Sequence, residues 1–265
     1  MAELAITEVT EDGSEPDRWV ALLHGIYGAG RNWRSVARSL VAARPDWGAL
    51  LVDLRQHGGS AGFPSPHTVE AAAADLETVR VPGSVRALLG HSFGGKVALV
   101  RARDSRDVDQ AWVVDSTPES REPSGGAWEM LQVLQRMPDG FESRDAAVEA
   151  LVEAGVEQPV ALWVSTNLER RVDRYVWGID FDDMEALLRD FFRLDLWDIV
   201  ERPRDGLELH FIRATRSSVL SADAVARLRA AGQSNGRVFL HEVQGGHWLN
   251  ADNPDAVVEL LRARL

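Results

Sequence analysis

An α/β architecture, with a mostly parallel sheet covered by helices on both faces, is predicted by three features of the sequence. Short apolar runs of strand length alternate with segments of helical spacing. One of those runs, 85–89, leads straight into Gly90-His91-Ser92-Phe93-Gly94-Gly95 and then a helical segment. The alternation also breaks off after Asp115 and resumes at Leu207, the pattern of a single α/β core carrying an insertion.

Taken in order, Trp19-Val20-Ala21-Leu22-Leu23 reads as a buried strand ending at His24-Gly25, and Gly25, Gly28 and Gly30 punctuate the loop after it. Residues 32–43 have helical spacing, with Trp33, Val36, Ala37 and Leu40 on one face. A second buried strand covers 47–52 and closes at Asp53; 55–66 is a Gly/Pro-rich loop. Thr68 caps an Ala-rich helix that Pro82-Gly83 stops. A strand at 85–89, a helix at 96–103 and a strand at 111–114 follow. Within 117–203 helical periodicity dominates, at 128–137, 145–154, 160–168 and 182–191, with prolines between the segments and a polar, Arg-rich stretch at 167–175. A strand at 207–214, a helix at 221–231, a strand at 238–243, the loop Gly245-Gly246-His247-Trp248 and a helix at 254–265 complete the chain.

Composition narrows the function. The 265 residues suffice for one large core with a small insertion. Forty-one acidic against 29 basic residues give a net charge of -12, which argues against a general nucleic-acid binder. The absence of Cys excludes disulfides, thiolate metal sites and a Cys nucleophile. No apolar window approaches the roughly 18 residues of a membrane span, and residues 1–10 lack a basic secretory n-region. The expectation is a cytoplasmic protein without a membrane span; its oligomeric state is left open.

The chemistry centres on Ser92. A Gly-x-Ser-x-Gly turn between strand and helix exposes the serine Oγ, its small flanks allow close backbone approach, and the helix N-terminus favours developing negative charge. A nucleophilic serine needs a base, and among seven His residues His247 lies in a loop directly after the last strand. His91 belongs to the turn itself and is assigned to packing or pocket lining; His241 falls inside a strand, and His57 is expected to fix its own loop. The oxyanion donors expected are the backbone N–H of Phe93 and, from the loop after the first core strand, that of Ile26.

His24-Gly25, Asp53-Leu54-Arg55-Gln56-His57-Gly58-Gly59-Ser60, the Gly90–Lys96 segment and Gly246-His247 together resemble the alpha/beta-hydrolase-1 family, and within it small intracellular esterases and abhydrolase-domain thioesterases. The resemblance implies an α/β-hydrolase fold with an eight-stranded sheet and a helical cap after strand six. The core would be 1–116 and 204–265, and the cap 117–203. It also bears on the acid that orients His247. The usual position is the loop 214–219, which holds no Asp or Glu. Asp223, just beyond, has the ordinary place of an acidic residue in a helix's first turn. Asp115 directly follows a strand whose carboxyl end faces the active-site crevice, and some of the small esterases carry their acid there. Asp115 is therefore expected to be the acid.

The expected activity is hydrolysis of a carboxylic ester or thioester through an acyl-enzyme, with no metal and no organic cofactor. The partner is a small-molecule acyl substrate. His91, Trp163, Trp177, Phe191, Phe192 and Trp248 are candidates for the substrate pocket. Acyltransferases, C–C hydrolases and cofactor-free haloperoxidases share the same apparatus, and a non-catalytic small-molecule receptor could use the same pocket.

Overall fold

A computed structural model describes residues 2–265. Its strands are β1 (Ile6–Val9), β2 (Arg18–Leu23), β3 (Trp47–Val52), β4 (Ser84–His91), β5 (Gln110–Val114), β6 (Gly140–Phe141), β7 (Leu168–Arg171), β8 (Arg174–Trp177), β9 (Glu208–Ala214) and β10 (Val238–Val243). Its helices are α1 (Arg34–Ala43), α2 (Val69–Asp75), α3 (Phe93–Asp104), α4 (Gly126–Leu134), α5 (Arg144–Glu153), α6 (Gln158–Val164), α7 (Phe181–Arg193), α8 (Trp197–Glu201), α9 (Ala222–Asn235), α10 (Leu249–Asp252) and α11 (Pro254–Arg264). Among the described residues no helix is long and apolar enough to cross a membrane.

Seven strands form the main sheet, in the order β1-β3-β2-β4-β5-β9-β10. All pairs are parallel except β1 with β3, which run antiparallel with Ile6 opposite Val52. The sheet has two buried faces because its strands alternate between two cores. Trp19, Ala21 and Leu23 of β2 pack with α2 and α3, whereas Val20 and Leu22 pack with α1 and α11.

Two expectations need correction. Among the described residues the main sheet has seven strands, not eight. Residues 11–17, Glu-Asp-Gly-Ser-Glu-Pro-Asp, offer only Pro16 as an apolar side chain to bury, too little for a core strand. They form a turn, with Gly13 at φ 76° and the Ser14 N–H on Glu11 O, instead of a further N-terminal strand. The insertion between β5 and β9 is also not purely helical. It carries α4–α8 together with a three-stranded antiparallel sheet, β6-β8-β7. The Arg-rich stretch makes the β7–β8 hairpin, with Leu168 opposite Trp177 and Arg171 opposite Arg174. Its turn places Val172, which is almost fully exposed, at φ 49°. A β-branched residue is a poor choice there and gives no hairpin signal, which normally rests on Asn-Gly or Asp-Gly.

Candidate functional site

The site lies at the carboxyl ends of β4, β5 and β10. Between β4 and α3, Ser92 takes φ 51° and ψ -113°, a conformation that L-residues rarely adopt. The flanking glycines make this turn possible. A Cβ at Gly90 would collide with the carbonyl oxygen of Gly94, and one at Gly94 would lie 2.6 Å from His24 O. The Ser92 N–H donates to Val114 O at 3.0 Å, which ties the turn to the neighbouring strand.

Asp115, the first residue after β5, is fully buried and also has positive φ, 44°. One carboxylate oxygen accepts from the Ala214 N–H at 3.1 Å, the other from His247 Nδ1 at 2.7 Å. The structure thus brings Asp115 and His247 together. Asp223 is exposed in the first turn of α9, where Ser221 Oγ accepts from the Ala224 N–H. Ser92 is half-buried, and its Oγ forms no hydrogen bond to His247 among the described residues. Such hydrogen bonds often tighten only when substrate is bound.

His91 packs beside His247. Its Nε2–H donates to His247 O at 2.8 Å and the two rings are 4.5 Å apart. Burial, reinforced by the neighbouring His247, pushes His91 down to about 3, so it stays neutral and keeps this tautomer.

The loop after β2 is organised by two further neutral histidines. His24 donates from Nδ1 to Gly25 O and accepts the Leu54 N–H at Nε2. His57 donates from Nδ1 to Arg55 O at 2.8 Å and accepts the Tyr27 N–H at Nε2, 3.2 Å. Burial holds His24 well below its ordinary range and His57 at about 4. Tyr27, at φ 61°, anchors the same loop to the insertion: its O accepts from Asn167 Nδ2 and its hydroxyl donates to Ala127 O. The Ile26 N–H has no hydrogen-bond partner among the described residues.

The aromatic candidates fall into two groups. Phe191 stands 6.1 Å from Phe93, and Trp163 stands 5.7 Å from Trp248, whose ring lies 6.1 Å from that of His247. Trp177 packs edge-on to Phe141 and against Phe181, inside the insertion. Phe192 packs on Trp128 and Phe191.

One buried group escaped sequence reasoning. Lys96, one helical turn beyond Ser92, donates from Nζ to the carbonyls of Glu119, Phe191 and Leu194 at 2.7, 2.7 and 2.5 Å. Burial, with Arg121 nearby, pushes its ammonium down to about 7, while Asp195, Asp190 and Glu119 oppose that shift. A signal was present: of the 29 basic residues, this is the only lysine.

The model of the alpha/beta hydrolase family matches residues 20–260, nearly the whole chain. The chain belongs to the alpha/beta hydrolase family. An sn-1-specific diacylglycerol lipase of Danio rerio is 26% identical over 253 residues, covering 92% of this chain and 77% of that protein. A probable alcohol acetyltransferase of Saccharomyces cerevisiae is 26% identical over 270 residues, covering 94% and 78%. Among solved structures, a marine microorganism esterase superposes with a TM-score of 0.81 at 22% identity, with 100% of both chains covered, a likeness of fold. In this family member β1–β5 with β9 and β10 make the main sheet, and the segment carrying α4–α8 and the small sheet follows β5 and Asp115.

Proposed function

We propose that this alpha/beta hydrolase cleaves a carboxylic ester or thioester through an acyl-enzyme on Ser92, with His247 as base and Asp115 as its orienting acid. The observation that carries the reading is the Asp115–His247 hydrogen bond beside the strained serine turn. Because Asp115 accepts from Nδ1, the Nε2 of His247 is free to take the Ser92 proton, and the buried carboxylate stabilises the imidazolium that forms. Backbone N–H groups of Phe93 and Ile26 serve the oxyanion. His247 then protonates the leaving alcohol or thiol, the C–O or C–S bond breaks, and water attacking the acyl-enzyme by the same route returns the serine.

The insertion, 117–203, acts as a cap that governs access. Phe191 beside Phe93, and Trp163 beside Trp248, supply apolar walls suited to an acyl chain. The kinship with a diacylglycerol lipase agrees with a lipid-like ester. The kinship with an alcohol acetyltransferase favours a second reading, in which an alcohol replaces water in the last step. Product ratios with and without an added alcohol separate the two.

The primary test is labelling with a fluorophosphonate, together with burst kinetics on p-nitrophenyl acetate. The wild type should be labelled and give a burst of product; Ser92→Ala should do neither while remaining folded. A wild type inert to both reagents would reject the enzyme reading in favour of a small-molecule receptor.

A further inference from the structure

Lys96 is buried, outside the proposed chemistry, and joins the two parts of the molecule. It belongs to α3, the helix that Ser92 begins. All three of its acceptors belong to the insertion: Glu119 O in the segment entering it, and Phe191 O and Leu194 O at the C-terminal end of α7. The last carbonyls of a helix have no partner within it, so an ammonium there satisfies orphan acceptors and opposes the negative end of the helix dipole.

Residue type matters in this cradle. An ammonium presents three donors around one point and can meet three converging carbonyls. A guanidinium is a flat fork whose donors diverge within one plane. A chain that otherwise relies on arginine for its basic residues has lysine where three backbone oxygens converge on a single nitrogen. The same Nζ lies 4.8 Å from the centre of the Phe191 ring, so Phe191 is held by both its carbonyl and its ring. That ring is 6.1 Å from Phe93, whose N–H is one of the two proposed oxyanion donors.

We propose that Lys96 is a positioning residue for substrate selection: by pinning the end of α7 to the serine-bearing helix, it sets where Phe191 stands over Phe93 and so the shape of the acyl-binding wall. This rests on the proposed acyl-enzyme reading. Lys96 touches no reacting atom; its effect passes through Phe191.

The test uses p-nitrophenyl esters from acetyl to decanoyl with the full-length wild type, Lys96→Met and Lys96→Arg. Lys96→Met keeps the length of the aliphatic stem and removes the ammonium with all three donors. KM for the preferred longer ester should rise roughly tenfold, the scale expected when one aromatic ring no longer packs on the acyl chain. The change in kcat should be smaller, and the chain-length optimum should broaden or move. Lys96→Arg should not restore the profile. The absence of cysteine permits a chemical rescue. Lys96→Cys, alkylated with 2-bromoethylamine while unfolded and then refolded, regains an ammonium at nearly lysine length and should recover the wild-type profile. A folded Lys96→Met with lowered Tm but an unchanged chain-length profile would overturn the inference and leave the Ser92 reading standing. So would a rescued protein that keeps the profile of Lys96→Met. A wild type that hydrolyses none of the esters would overturn both.

Discussion

Replacing Asp115 with Asn separates geometry from charge in the proposed triad. The side chain is fully buried and both oxygens are used, one by the Ala214 N–H and one by His247 Nδ1. An amide of the same size has one acceptor for these two donors. If its oxygen stays with Ala214, its NH2 faces His247 Nδ1, which must then accept, and the imidazole proton moves to Nε2. That is the atom required to take the Ser92 proton. Turnover should fall by about 10⁴, or about 5.5 kcal/mol of transition-state stabilisation, the scale of the same change in a serine-protease triad. If the amide flips, the tautomer survives, but its NH2 opposes the Ala214 N–H, at a cost of about 1–3 kcal/mol in stability. The first arrangement is expected, because an imidazole changes tautomer more cheaply than two buried donors can be left facing one another. The assay is kcat/KM on a p-nitrophenyl ester, with Tm and circular dichroism to verify folding and Asp223→Asn as control. Asp223 is exposed on α9, and its variant should stay near wild type. A folded Asp115→Asn enzyme retaining more than about a tenth of wild-type activity would refute the assignment, most directly if Asp223→Asn were the impaired one.

Three other outcomes follow from the same geometry. Gly90→Ala drives a Cβ into the Gly94 carbonyl oxygen at the serine turn, so the variant should lose about 1–3 kcal/mol or more in urea unfolding, whereas a wild-type midpoint would show that the turn can relax. Burial holds His57 at about 4 and His91 and His210 at about 3, against roughly 6.5 in the unfolded chain. Between those values the unfolded chain binds more protons, so stability is full above about pH 6.5 and declines as the pH falls toward 3, by about 2 kcal/mol per histidine at pH 5; equal urea midpoints at pH 7.5 and pH 5 would contradict this. Trp163→Ala should alter the preferred acyl length more than the turnover of the best ester, and an unchanged ester profile would remove Trp163 from the pocket wall.

The core was legible because buried parallel strands have no polar face. Residues 19–23 of β2 and 111–114 of β5 read as unbroken apolar runs, and the segment expected at 47–52 coincides with β3. The insertion was less legible because its strands are short and largely exposed. In β7 only Leu168 is buried, while Glu169, Arg170 and Arg171 face solvent, so no alternation marks the hairpin. Its turn is set by tertiary support and not by turn chemistry. The cross-strand pair Arg170 with Tyr175, and Trp177 against Phe141, hold a register that the Val172 turn alone does not encode.

At the site, the legible parts are those whose constraint falls on side chains near in sequence. The serine turn is marked by glycines, because a Cβ at Gly90 or Gly94 has nowhere to go. Lys96 stood out as the only lysine, but its role was illegible for the opposite reason: its three partners are backbone carbonyls, which every residue carries. Asp115 falls between these cases. Its strand-end position was readable, but its reach to His247 depends on sheet order, because β9 lies between β5 and β10. The carboxylate spans the end of β9 by accepting the Ala214 N–H, beside the loop 214–219 that is the usual place for the acid. A series of backbone bonds steps along this edge of the sheet: Ser92 N–H to Val114 O, Asp115 N–H to Ile212 O, and Thr215 N–H to Val243 O. These bonds hold two of the positive-φ residues, Ser92 and Asp115, in conformations that each cost about 1–3 kcal/mol if unsupported. The spacing of the three proposed catalytic groups is therefore set by the ends of four adjacent strands. That arrangement lets the proposed acid stand at the end of β5 and still reach His247, two strands away after β10.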